Sequence, residues 1–133
     1  MIIAKIEPRL AALSTPNWED GGHAVLFDGR LYTQALNAMR ENPNTNRQAA
    51  VEQLLSAAGG KLVAMYGRST NGPGAMVIFD VADPAMAPAI TGVAVSAGTI
   101  QNVQLTRLFT MDEVKGLRER ASKIRGAYKP PGQ

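Results

Sequence analysis

A chain of 133 residues with 45% hydrophobic and 19% charged side chains is long and apolar enough to bury a core of its own, and its net charge of +3 is too small for a disordered polymer. It has no cysteine, which excludes disulfide staples, thiolate metal sites and Cys nucleophiles. One histidine, His23, excludes a His-cluster metal site within a single chain, so neither metal nor cofactor is expected.

Residues 1–22 read as an N-terminal extension. Ile2, Ile3 and Ile6 suit a short edge strand, Leu10 and Leu13 suit docking, and Trp18 suits a pin to the domain or a partner contact. Lys5, Glu7, Pro8 and Arg9 break the early apolar run, which makes it a poor secretory signal. No stretch reaches the roughly 18 apolar residues of a spanning helix. A cytoplasmic location and no membrane partner are therefore expected.

Residues 24–27 (AVLF) form the first strand candidate. Asp28-Gly29 is locally a hairpin signal, but the good helix formers of 33–41 favour one longer strand with a bulge at Gly29, followed by a helix. Pro43 ends that helix. Thr45 to Gln48 fits a capping box that opens a second helix, with Val51, Leu54 and Leu55 on its stripe and Gly59-Gly60 as its stop. Residues 61–68 (KLVAMYGR) and 75–81 (AMVIFDV) read as strands joined by a loop at 69–74. Asp83-Pro84 predicts a cap and first helical residue, with Met86, Ile90 and Val93 on one face and a kink or a shortening of the helix at Pro88. Residues 102–109 (NVQLTRLF) are the last strand, and Thr110 to Glu113 is a second capping box, opening a terminal helix.

From residue 24 this order is a split βαβ pattern, the α+β ferredoxin-like plait with an antiparallel sheet. It divides into the extension (1–22), the core (23–110) and a C-terminal helix and tail (111–133). Both faces of the strands are apolar. One holds Val77 and Phe79, the other Met76 and Ile78; Leu62 and Ala64 are expected to share a face. The two principal helices cover one side only. Neither the extension nor the terminal helix is obviously large enough to seal the other, so a second copy of the chain is expected there as partner.

The stretches AAVEQLLSAAGGKLVAMY (49–66), AMVIFD (75–80), VQLTRLFTMDEV (103–114) and YKPPG (128–132) resemble, in order and spacing, the GYD-domain family of small bacterial proteins. The resemblance covers about residues 23–132. It implies a plait of the dimeric α+β-barrel group, whose wider relatives include cofactor-free monooxygenases, haem-degrading enzymes, small isomerases and sensory domains. Where the family has Gly-Tyr-Asp before the third strand, this chain reads Asn71-Gly72-Pro73-Gly74. No role of that Tyr or Asp transfers here.

Candidate chemistry is sparse. Asn71-Gly72-Pro73-Gly74 lacks the Lys-Ser/Thr of a phosphate loop and reads as a strand connection. His23 precedes the first strand, where it can face a cleft between sheet and helices. Asp80 interrupts an apolar strand, so pairing with Arg68 or Arg107 is expected of it, or else a role as base. Tyr66, Arg68 and Arg107 are candidates to line a ligand pocket, an arginine gripping a carboxylate or enolate, or to make polar contacts in an oligomer. The basic excess lies in residues 105–133, with seven Lys/Arg against three Asp/Glu. No aromatic stacking platform accompanies it, so nucleic acid is not an expected partner. The reading is a homo-oligomeric structural or small-molecule-binding module. The alternative is a cofactor-independent monooxygenase- or isomerase-like enzyme.

Overall fold

The computed structural model describes residues 22–69 and 71–133. The expectations for Ile2, Ile3, Ile6, Leu10, Leu13 and Trp18 fall outside them. The elements run β1 (His23–Leu31), α1 (Thr33–Glu41), α2 (Arg47–Ala57), β2 (Gly60–Arg68), β3 (Gly74–Val81), α3 (Met86–Ser96), β4 (Ile100–Leu108) and α4 (Met111–Ile124). The sheet order is β2-β3-β1-β4 with every neighbouring pair antiparallel, the α+β ferredoxin-like plait.

Strand register decides which side chains share a face, because residues opposite one another point the same way. On the helix side Leu62, Phe79, Val25 and Arg107 form one rung, and Met65, Val77, Phe27 and Leu105 the next. Leu55 from α2 and Ala87 and Ile90 from α3 close over them, with Ile100 from β4, to make the core. On the opposite side the central rung is Ala64, Ile78, Leu26 and Thr106. The buried helix residues are Leu55, Ala87 and Ile90, all in the core cluster, so no described helix buries a residue on that second face. Leu26, Met76 and Ile78 are only half-buried there, and Tyr66 is 62% exposed.

Two bulges set the details. The β1–β4 register shifts between Asp28 and Arg30, so Gly29 bends a single long strand, as its sequence context suggests. A Cβ on Gly29 would lie 2.5 Å from Ile100 Cγ1, so glycine is what lets Ile100 pack there. The second shift, between Leu62 and Ala64, corrects the strand alternation: Leu62 joins Met65 on the helix side, and Ala64 takes the opposite face.

Helix ends differ from expectation in two places. α2 is capped by Asn46, whose Oδ1 accepts from Ala49 N at 3.0 Å, while Gln48 donates to Glu52 instead of reaching back to Thr45. Asp83 Oδ1 accepts from Ala85 N, which shapes a turn, and α3 starts only at Met86. Pro88 is thereby its third residue, where a backbone N–H has no helical acceptor to lose and no kink is required.

The Thr110 box at α4 is complete: Thr110 N donates to Glu113 Oε1 (2.9 Å) and Glu113 N to Thr110 Oγ1 (3.1 Å). α4 buries no residue, leaving Leu117 and Ile124 exposed, so its apolar stripe does not seal the second sheet face. With little packing to support it, α4 depends on its cap. Thr110→Ala is expected to cost about 1 kcal/mol, read as a lower helical circular-dichroism signal and an earlier onset of urea unfolding.

Candidate functional site

The third rung on the helix side is Gly67, Ala75 and Gly29, three residues with almost no side chain. Ile100 fills the space over Gly29, but the nearest atom to a Cβ built on Gly67 is Gly74 O at 3.9 Å. Nothing else fills that corner, and a cavity of about 320 Å³ opens above it. Phe27, Met65, Val77 and Phe79 form its floor. Val51, Leu54 and Leu55 of α2 and Ile90, Val93 and Ala97 of α3 form its walls, and Met39 of α1 borders it. Thr99, Tyr66 and Arg47 complete the lining. The cavity is therefore a break in core packing, caused by small residues on β2 and β3, and not a groove cut by loops.

Of the five candidate residues, Tyr66 borders this cavity by its place in β2, while its register with Met76 assigns its exposed side chain to the open face. Arg68 does not. It lies on the opposite face, crosses β3 over Gly74, and pairs through Nε with Asp28 Oδ1 at 2.8 Å. A Cβ on Gly74 would stand 3.0 Å from that Nε and 2.1 Å from Gly29 O, so glycine keeps the crossing open. Arg68 Nη1 also donates to Asn71 O at 3.4 Å, which ties down the β2–β3 connection. Asn71 (φ 62°) and Gly72 (φ 94°) turn the chain there in the left-handed region, as a strand connection requires.

Arg107 is on the helix side but at the far end of β4. Its guanidinium donates to Ala24 O (3.2 Å) and to Leu108 O, meets Glu113 Oε2 at 3.6 Å and lies 4.5 Å from the Phe109 ring centroid. These contacts lash the end of β4 to the start of α4. Asp80 is buried at 8% exposure, in register with Ala24 and Lys61 on the open face. Arg107 points from the other face. Arg68 is opposite Gly74, six residues away along β3, about 20 Å of strand. Among the described residues neither expected Asp80–Arg pair forms, and the ion pairs these arginines make there run to Asp28 and Glu113. His23 starts β1 at this same end, its Nδ1 3.2 Å from Val81 O. Facing a carbonyl, that nitrogen must carry the proton, and His23 does not reach the cavity.

Sequence reasoning passed over Arg47 and Gly67. The signal for Gly67 was an isolated glycine inside an apolar strand, which weakens a strand unless its missing side chain serves something. Arg47 is the first residue of α2, a helix with no acidic side chain in its first turn. A positive charge there opposes the helix dipole.

Among the described residues no group of His, Asp or Glu is placed to hold a metal ion, and no helix is long and apolar enough to cross a membrane. Comparison with curated proteins and with solved structures returns no significant match. The family model of the GYD domain matches residues 26–117, from the first strand into the terminal helix. That match spans more than half of the chain and all of the sheet but the first three residues of β1, and the chain belongs to the GYD domain family.

Proposed function

We propose that this chain is a homo-oligomeric small-molecule-binding module, with its ligand in the cavity between sheet and helices and a second copy on the open sheet face. The cavity carries the reading. A pre-formed, mostly apolar pocket with a few polar groups is what small-ligand sites offer, and 320 Å³ is far more than a packing defect. Binding is favoured over catalysis by placement. His23 and Asp80, the groups suited to proton transfer, sit at the other end of the sheet, and the polar side chains bordering the cavity from the helix side are a guanidinium and a hydroxyl.

Gly67 supplies the test. Its φ is outside the left-handed region and its Cβ position is open, so a larger residue fits without backbone strain. Gly67→Leu is expected to fill the corner and abolish binding. A ligand at a hundred times its dissociation constant adds about 2.7 kcal/mol of stability, a rise of several degrees in Tm for a domain of this size. A panel of mono- and bicyclic aromatic compounds should give such shifts with the wild type and none with Gly67→Leu. Equal shifts in both proteins would remove the cavity from the reading.

A further inference from the structure

Resting on the cavity reading above, we infer that the ligand carries an anionic group, a carboxylate on a compact bicyclic-sized body, and that Arg47 receives it. Among the described residues lining the cavity, Arg47 alone is charged. It is half-buried against apolar walls. The other half-buried arginines among the described residues are committed to carboxylates, Arg68 to Asp28 and Arg107 to Glu113. The Arg47 side chain has no hydrogen bond or ion pair among the described residues, and Glu52, five residues along α2, is engaged by Gln48. Its position at the start of α2 does not help the helix, for the dipole reason given above. A half-buried arginine that borders an apolar void and stabilises neither its helix nor a described partner is complementary to an amphiphilic anion. The guanidinium fork matches a carboxylate in two parallel charge-assisted hydrogen bonds. The grip that the sequence suggests for Arg68 or Arg107 thus falls to a helix residue, across the sheet from Arg68 and at the far end of it from Arg107.

The volume fixes the size of the apolar part. A cavity of about 150 Å³ takes up benzene, so one of about 320 Å³ has room for roughly twice that body, a fused two-ring system. The probes are therefore 2-naphthoate and its neutral isostere 2-naphthamide, titrated by fluorescence at fixed ionic strength. The wild type is expected to bind naphthoate about ten-fold or more tightly than naphthamide, in line with one charge-assisted bidentate contact. Arg47→Gln should erase that preference by weakening naphthoate while changing naphthamide less than about two-fold, and Arg47→Lys should restore part of it. Equal affinity for both probes in the wild type, or a preference that survives Arg47→Gln, overturns the inference and leaves the cavity reading standing. Failure of both probes and of naphthalene itself to bind the wild type overturns the two together. The wild-type comparison needs no variant to fold.

Discussion

Phe79→Ala is expected to lower stability by about 3–5 kcal/mol, out of the 5–15 kcal/mol that holds a typical domain together. Phe79 is 1% exposed, at the centre of the helix-side face, with Val25 and Leu62 on its flanks in the rung. Its ring already borders the cavity. Truncation therefore enlarges an existing void, and neighbouring side chains have little to collapse onto, which puts the cost at the upper end for this kind of change. Urea unfolding followed by circular dichroism reads it directly as a fall in midpoint at unchanged slope. A loss below about 1 kcal/mol would mean that the packed centre of the molecule lies elsewhere.

Ile78→Glu is expected to turn a dimer into a single chain. Ile78 is at the middle of the open face, with Leu26 and Ala64 opposite it on the neighbouring strands. If two copies meet there about a two-fold axis, burying about 800 Å² on each, the substitution sets two unpaired carboxylates near each other in a desolvated seam. An uncompensated buried charge costs about 3–5 kcal/mol, a hundred-fold or more in the dissociation constant. In the isolated chain the same position is only half-buried, so the variant should stay folded. Native mass spectrometry of the wild type should give two chains of 14.1 kDa, and of the variant, one. A wild type that runs as one chain at micromolar concentration would end the proposal of sheet-to-sheet association. The Asp28–Arg68 pair lies on this face too, so it would be enclosed at the seam, already neutralised.

Local sequence signals were enough for the order of elements. Hydrophobic runs, the Gly59 stop (φ 74°) and the Thr110–Glu113 box are each decided within a few residues. What failed needed information from another strand. The β2 bulge moves Leu62 to the other face, and nothing in the alternation of 61–68 marks it, because both faces there are apolar. Asn46 displaced Thr45 as cap because two adjacent residues of the same capping chemistry compete, and tertiary packing sets the register. Asp80 was given Arg68 or Arg107 as its partner, whereas those arginines pair with Asp28 and Glu113. Asp28 reaches Arg68 only because Gly74 leaves a path across β3, and Glu113 reaches Arg107 only because α4 turns back at Thr110. The cavity itself depends on Gly67 and Ala75 meeting in one rung, a coincidence of register between two strands that neither segment contains alone.

The weak attachment of α4 has a kinetic meaning. Among the described residues its substantial neighbours are the turn that follows it, Arg125–Ala127, while its hold on the sheet is the Arg107–Glu113 lashing and the cap at Thr110. Such a segment can open while the four strands stay paired, so its amide protons should exchange with solvent through a low-energy excursion of their own. Those of β1 and β3, locked between neighbours on both sides, should wait for the whole molecule to come apart.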